Sequence, residues 1–438
     1  MNRRGFLAAA ASGAATSTAA PKLAIDGGKP VRDKVLRAGY WGSEFYDDAE
    51  RKELLDVIGT RSPFRWYGPG LQPPKVLAFE KEFAARMQTK YALGVTSGTA
   101  ALQSALAALE IGPGDEVILP AWSWHSCFNT VVLAGALPVC AEIDESFNLD
   151  PEDFENKITP QTKAVMAVHL QGNPCDMDRI LAIARKHKLR VLEDCAQSVG
   201  ASYKGRPLGS LGDIGIYSLQ INKTITSGEG GAVATSDPIL FERASRFHDL
   251  GGLRAPHQQV AGAARLESFI GANFRMSEFT GGVLLAQLRK LDTIVAAVRG
   301  NARHVYEGIR DLPGIGFRSR PDPAGELGAG VFIAFRSKQQ RDRYIAAMRA
   351  EGVGAASPSG SVVLPTVPHI MAKKTVHPAW PVFQTPRGKT IRYGPETCPR
   401  TLDVLSRFAG VPIDPKYSPR DLDDIVAAIR KVYPAVMG

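Results

Sequence analysis

Short apolar runs alternate with longer amphipathic runs through the first half of the chain. Residues 176–187, for example, place Ile180, Leu181 and Ala184 on one helical face. Strands that alternate with helices predict a mainly parallel sheet covered on both faces. No G-x-G-x-x-G follows the first run, which disfavours a dinucleotide-binding domain. The apolar runs predict strands over 91–96, 116–119, 138–143, 164–169, 190–193, 214–218 and 232–235.

The second half of the chain has a different pattern of apolar, Gly and Pro residues. Leucines at helical spacing predict a long helix over 277–309, and one alternating stretch, 330–335, lies among Gly- and Pro-rich segments. Ser418 and Pro419 predict the start of a last helix. We therefore expect an α/β fold with a large domain over 23–312 and a smaller α+β domain over 313–438. The buried face of the last helix is predicted to hold Leu422, Ile425, Val426 and Ile429.

The N-terminus carries Arg3 and Arg4, then Phe6-Leu7 and an Ala-rich stretch with small residues around Ala19. This order is typical of a twin-arginine export signal over 1–22. The alternative is an Ala-rich terminus with chance arginines. The order of paired arginines, Ala-rich stretch and small residues favours the signal, and therefore predicts an exported, periplasmic protein. If the signal is not functional, the protein is expected in the cytoplasm.

Composition narrows the function classes. The net charge is +9, but Lys and Arg are scattered, which disfavours a nucleic-acid partner. No apolar run in the body of the chain is long enough to span a bilayer. The five cysteines have no C-x-x-C pair, so no metal site is predicted and most are expected to be buried small hydrophobes.

Polar residues at the ends of three predicted strands carry candidate chemistry. Ser97-Gly98-Thr99 stands where a strand turns into a helix, which can form an anion site or an ordinary helix cap. Asp194 ends an apolar strand, where it either pairs with a cation or caps the next helix. Lys223 follows another strand and precedes a glycine-rich bend; a lysine partly buried there has a lowered pKa and can attack carbonyls.

An anion seat, a carboxylate and a lysine are the groups that pyridoxal 5'-phosphate requires. The seat takes the phosphate, the carboxylate keeps the pyridine nitrogen protonated, and the lysine condenses with the aldehyde. The three segments together therefore predict a pyridoxal-phosphate enzyme.

The sequence resembles the DegT/StrS-type sugar and cyclitol aminotransferases, which have fold type I of the pyridoxal-phosphate enzymes. The likeness covers nearly the whole chain after the signal. Its marks are S-G-T-A-A-L at Ser97, G-P-G-D-E-V at Gly112, V-H-L-Q-G at Val168, E-D-C-A-Q-S at Glu193, S-x-x-x-x-K at Ser218, G-E-G-G at Gly228 and G-A-N-F-R-M-S-E at Gly271.

The resemblance implies a role for each matched residue. Lys223 is the Schiff-base lysine and proton shuttle, and Asp194 pairs with the pyridinium. Gln197 bonds the ring hydroxyl, and Trp124 stacks on the ring, although Trp124 alone would suggest core packing. The phosphate is held by Gly98, Thr99 and Ser218, and by Asn273 from the neighbouring subunit of a homodimer.

The implied reaction moves an amino group from glutamine or glutamate to a keto-sugar or keto-cyclitol. Residues 219–222 (Leu-Gln-Ile-Asn) differ from the aromatic residues and Pro-Ser that many members carry before the lysine. Alternatives are a sugar dehydratase of the same fold, whose members replace the lysine with His, and a regulator that binds the cofactor without turnover.

Overall fold

The computed structural model describes residues 22–70, 74–262 and 266–438. The predicted signal, apart from residue 22, lies outside these residues. Each of the seven predicted strands is present, with ends that differ by at most two residues from the prediction. The strands are β1 (Tyr91–Val95), β2 (Glu116–Pro120), β3 (Trp122–Ser123), β4 (Leu137–Ala141), β5 (Thr162–Val168), β6 (Arg190–Asp194), β7 (Ser202–Tyr203), β8 (Arg206–Pro207), β9 (Ile214–Ser218), β10 (Gly231–Thr235), β11 (Gly316–Phe317), β12 (Gly330–Ala334), β13 (Val362–Val363) and β14 (Phe408–Pro412).

Helices cover the faces of the sheets. The α-helices are α1 (Trp41–Glu44), α2 (Asp48–Thr60), α3 (Lys75–Arg86), α4 (Gly98–Ala108), α5 (His125–Leu133), α6 (Pro151–Asn156), α7 (Met177–His187), α8 (Pro238–His248), α9 (Ala255–Ala261), α10 (Glu278–Ile309), α11 (Lys338–Ala350), α12 (Pro368–Met371), α13 (Pro386–Thr390), α14 (Pro399–Ser406) and α15 (Pro419–Met437). Single 3-10 turns cover Ala24–Asp26, Leu170–Gly172, Leu364–Thr366, Pro381–Gln384 and Pro395–Thr397.

The main sheet has the strand order β1-β10-β9-β6-β5-β2-β4. Strands β9, β6, β5, β2 and β4 are parallel neighbours, whereas β10 is antiparallel to both β1 and β9. Strand β1 therefore runs in the same direction as the parallel set. The carboxyl ends of all strands but β10 consequently meet at one edge of the sheet, which is where α/β proteins place their ligands.

The strands are buried on both faces because successive residues point into two separate cores. Ala92 and Ile118 belong to the core covered by α3, α7 and α10, whereas Leu93 and Leu119 belong to the core covered by α4, α5 and α8. This arrangement explains why the strands read as apolar runs rather than as alternating patterns.

Residues beyond Leu312 form a three-stranded antiparallel sheet, β11-β12-β14, with α11 packed on it and α15 packed against α11 and α10. Ser418 caps α15 in a capping box, as its sequence predicts. Strand β13 instead pairs with β3 of the N-terminal part, through Val362 and Ser123. The α/β fold with an α+β C-terminal part is thus confirmed. The boundary near Leu312 stays a prediction.

None of the helices in the described ranges is long and apolar enough to cross a membrane.

Candidate active site

The three predicted segments meet at the carboxyl edge of the main sheet. A Cβ atom on Gly98 would lie 2.7 Å from Cβ of Ser218, so the turn into α4 touches the end of β9. A Cβ atom on Gly231 would lie 2.3 Å from the Ser97 carbonyl oxygen. Both distances are far below van der Waals contact. Only glycine therefore allows these backbones to approach, and the approach forms a narrow cradle.

The N-terminus of α4 faces this cradle. Ser97 is the N-cap residue, and its Oγ accepts from the Ala100 amide at 3.1 Å. Within the described residues the amides of Gly98 and Thr99 donate to no protein group. The Thr99 hydroxyl lies 2.8 Å from Ser126 Oγ. Free amides at the positive end of a helix suit a phosphate.

Asp194 ends β6 and is almost completely buried. Its Oδ1 accepts from the Ala196 amide at 2.9 Å, and its Oδ2 accepts from the Cys127 thiol at 3.2 Å. In the described part of the chain it forms no ion pair and caps no helix. Burial raises the pKa of Asp194, an effect only partly opposed by the Ala196 amide, Cys127 and the charge of Lys223. A buried carboxylate without a cationic partner is suited to a ligand that brings the cation.

Cys127 lies three residues after Trp124, on α5. Burial and the Asp194 charge raise the pKa of Cys127 well above its usual range, so it stays a thiol and donates. All five cysteines are buried and free, but Cys127 also makes this polar contact, which sequence reasoning missed. No sequence motif marks it.

Glu193 points to the opposite side of β6 and has a structural role. It accepts from the amides of Gly209, Leu211 and Gly212, and from Nε2 of His169 at 3.1 Å. Nδ1 of His169 accepts from the Cys175 amide, so Nε2 carries the proton. These hydrogen bonds lower the pKa of Glu193 against the opposing effect of burial. Side-chain alternation along the strand thus assigns only Asp194 to the site.

Lys223 lies half-buried on the loop between β9 and β10. Burial lowers the pKa of Lys223, while Asp194 and Cys127 act in the opposite direction. The loop is closed by hydrogen bonds from the amides of Leu219 and Ile221 to the carbonyls of Gly230 and Gly228. Gly228 has φ +84°, a conformation that favours glycine. The strand, the loop and its glycines therefore hold the amine in a partly buried position, close enough to Asp194 for the two charges to interact.

Gln197 and Trp124 flank this position. Gln197 accepts from the Gln171 amide at 3.1 Å and donates to Ser361 Oγ at 3.0 Å, which leaves one amide hydrogen for a further acceptor. Trp124 precedes α5 and is 54% exposed, which argues against the core-packing interpretation. An exposed ring at this edge is available for stacking on a ligand.

Asn273 precedes Phe274, whose carbonyl accepts from the Thr96 amide at 3.0 Å, so this segment runs beside the end of β1. The side chain of Asn273 is exposed, and its backbone forms an isolated bridge with Asp249. The alternative that Asn273 caps α10 is wrong, because Ser277 occupies the cap and accepts from the Thr280 amide at 3.2 Å. Among the described residues the Asn273 side chain accepts only from the Arg275 amide, at 3.5 Å, so no hydrogen bond joins it to the other predicted site residues.

These groups fit pyridoxal 5'-phosphate. The Gly98 cradle and its free amides would hold the phosphate, and Asp194 would face the ring nitrogen as an otherwise unpaired buried carboxylate. The amine of Lys223 lies in the same site. The individual roles stay predictions, since they rest on geometry and chemistry alone.

Comparison with known proteins decides the family. Residues 66–362 match the DegT/DnrJ/EryC1/StrS aminotransferase family. The chain belongs to this family. It is 41% identical over 235 residues to a GDP-perosamine synthase of Escherichia coli O157:H7, with 53% of this chain covered. The chain spans 63% of the length of that relative.

Two further comparisons span more of the chain. The L-glutamine:2-deoxy-scyllo-inosose aminotransferase of Micromonospora echinospora is 32% identical over 398 residues, covering 89% of this chain and 86% of the relative. An aminotransferase from Psychrobacter cryohalolentis has a TM-score of 0.74 at 28% identity, covering 92% of this chain and 100% of that one. The predicted family, the fold type I architecture and pyridoxal phosphate as cofactor are thereby confirmed.

Proposed function

We propose that this protein moves an amino group from glutamine or glutamate to a keto-sugar or keto-cyclitol. The observation that carries the proposal is that Asp194, a buried carboxylate without an ion-pair partner among the described residues, lies in the same site as the half-buried Lys223. Relatives named for sugar and scyllo-inosose amination support the substrate class.

Pyridoxal phosphate, when bound, supplies an aldehyde that condenses with amines and a ring that withdraws electrons from the attached carbon. Asp194 would hold the proton on the ring nitrogen. The lowered pKa of Lys223 makes its neutral amine more abundant at physiological pH, so Nζ would be able to take a proton from the reacting carbon of the donor, or give one to that of the acceptor, within each half of the reaction. The amides of Gly98 and Thr99 would hold the phosphate and so orient the ring.

The test is a donor and acceptor screen. The purified holoprotein is incubated with glutamine or glutamate and a panel of keto-sugars and keto-cyclitols, and aminated products are identified by mass spectrometry. The donor alone should yield one equivalent of its 2-oxo product per site. A dehydratase would release water without consuming the donor, and a regulator would give neither product nor oxo acid. Either outcome would contradict the proposal.

We also propose that residues 1–22 direct export through the twin-arginine route. The support is the order of Arg3-Arg4, the Ala-rich stretch and the small residues before Pro21. Export of a folded protein would allow the cofactor to load before transport. Replacing Arg3 and Arg4 by Lys keeps the charge and should leave the protein in the cytoplasm of a fractionated bacterial host. Equal periplasmic amounts for both forms would contradict the proposal.

A further inference from the structure

A buried hydrogen-bond network lies behind the Lys223 loop. Thr226, three residues after the lysine, is fully buried and all its polar groups have partners. Its Oγ1 donates to the Leu219 carbonyl at 3.0 Å and accepts from the Gly228 amide at 2.9 Å. Its carbonyl accepts from the Tyr46 hydroxyl at 3.0 Å. Thr226 therefore closes the loop at both ends.

The remaining group of Thr226, its amide, reaches α10. The amide donates to Oε1 of Gln287 at 3.3 Å, and Gln287 Nε2 donates to Oε1 of Glu50 at 2.7 Å. Gln287 is fully buried, and Glu50 is nearly so. Lys290 pairs with Glu50, with Nζ 2.7 Å from Oε2. A chain of hydrogen bonds thus runs from the Lys290–Glu50 ion pair, through the Gln287 side chain, to Thr226 on the loop that carries Lys223.

Space around the network is limited. A Cβ atom on Gly42 would lie 2.9 Å from the Thr226 amide nitrogen and 3.0 Å from Gln287 Oε1. The N-terminal segment therefore packs directly on the pair and excludes water from it. With both ends of its side chain bonded and its surroundings filled, Gln287 has one orientation available.

We propose that Gln287 is a positioning residue for the reaction: by holding Thr226 it sets the depth at which Lys223 stands in the site. The inference rests on the proposed function, in which Lys223 binds the cofactor. A lysine held deeper in the site loses the water around its ammonium group, which lowers its pKa. A lysine nearer the surface regains that water, and its pKa rises. The charged and titratable groups that act on Lys223 are Asp194 on β6 and Cys127 on α5; neither contacts Gln287.

The test measures Lys223 in the cofactor-free protein. Competitive labelling with acetic anhydride, read peptide by peptide by mass spectrometry, gives the pH midpoint of the Lys223 amine. Gln287→Leu keeps the volume but breaks both hydrogen bonds, and should move the midpoint upward, with a roughly tenfold smaller neutral fraction at pH 7 for each unit of pKa. It should also slow the borohydride-trapped attachment of pyridoxal phosphate to Lys223.

Two variants separate positioning from general stability. Glu50→Gln keeps an Oε1 acceptor for Gln287 and should retain the wild-type midpoint. Val298→Ala removes buried volume from the same helix, away from the loop, and should lower the melting temperature without moving the midpoint. If Gln287→Leu does not fold, Thr226→Val, which removes only the hydroxyl bonds within the loop, should give the same upward movement.

A wild-type midpoint in folded Gln287→Leu would overturn the inference, and if that variant does not fold, a wild-type midpoint in Thr226→Val would do so. An equal midpoint change in Val298→Ala would do so as well. These outcomes differ from failure of the proposed function, in which the donor and acceptor screen gives no aminated product whatever the Lys223 midpoints of the variants are.

Discussion

At the scale of single residues, Lys223 is the group on which the chemistry depends. Lys223→Ala and Lys223→Arg should both abolish borohydride-trapped cofactor, because neither offers an amine that condenses with an aldehyde. Cofactor held without a covalent bond should remain in part, through the phosphate seat. Mass spectrometry of the reduced protein is the measurement, and Lys204→Ala, an exposed lysine paired with Asp178, is the control. Undiminished labelling in Lys223→Ala would assign the anchor to another lysine.

The substitution Asp194→Asn should lower the catalytic rate but raise the stability of the cofactor-free protein. Asp194→Asn removes the charge that holds the ring nitrogen protonated, so turnover should fall by several powers of ten, within the roughly 8–23 kcal/mol that enzymes supply. Without cofactor, however, the same change should raise the free energy of unfolding at pH 7. The native state carries a raised Asp194 pKa, and therefore loses stability as pH rises from the unfolded value of about 3.9 through the native one.

Urea unfolding of the cofactor-free proteins checks this second effect. The gain of Asp194→Asn over wild type should grow as pH rises towards 7 and should vanish only well below the unfolded-state pKa of about 3.9, where Asp194 is protonated in both the native and the unfolded state. A variant that is less stable than wild type at pH 7 would show that the buried charge is compensated by a group not identified above.

At the scale of elements, α10 is the longest helix of the described structure. It packs so closely against α3 that no side chain fits between the two helices at Gly281. A Cβ atom on Gly281 would lie 2.6 Å from Val76 Cγ2 and 2.8 Å from the Val76 amide nitrogen, whereas one on Gly300 would meet nothing within 4 Å. The two glycines therefore offer a matched pair on one helix.

Gly300→Ala should stabilise the protein by about 1 kcal/mol, the usual helix preference of alanine over glycine. Gly281→Ala gains the same preference but forces α3 and α10 apart, at a cost of about 1–3 kcal/mol, so its net effect should be destabilising. Melting temperatures measured side by side decide between them. Equal increases for both variants would mean that the helices adjust without cost.

At the scale of the whole molecule, Asn273 forms no hydrogen bond to another predicted site residue in the described part of its own chain. We propose that it serves the phosphate of a second copy in a two-fold dimer, since a self-complementary interface creates two equivalent shared sites. Its exposed side chain, on a segment bridged to the buried Asp249, is consistent with such a contact.

Mixing two inactive variants tests the shared site. Lys223→Ala and Asn273→Ala chains, combined under conditions that allow subunit exchange, should recover activity, because each mixed dimer contains one site with both residues intact. Random exchange at equal amounts gives about a quarter of the wild-type sites. No recovery after exchange has been verified, or full activity from a stable monomer, would contradict the proposal.

The sequence by itself determined the elements and the composition of the site. Strands such as β9 read as apolar runs because a parallel sheet buries both faces, and Ser277 and Ser418 mark helix starts because their hydroxyls satisfy local amides. Gly98, Asp194 and Lys223 could be selected because strand ends of a parallel sheet meet at one edge.

Only the tertiary structure decided how these residues are held. Glu193 and Asp194 are adjacent, but they lie on opposite sides of β6. Glu193 accepts hydrogen bonds from backbone amides and from His169, whereas Asp194 has no ion-pair partner among the described residues. The Cys127 thiol reaches Asp194 across 67 positions of sequence, and Gln287 reaches Thr226 across 61. Such contacts leave no local pattern, because burial and pairing between distant segments depend on how the whole chain packs.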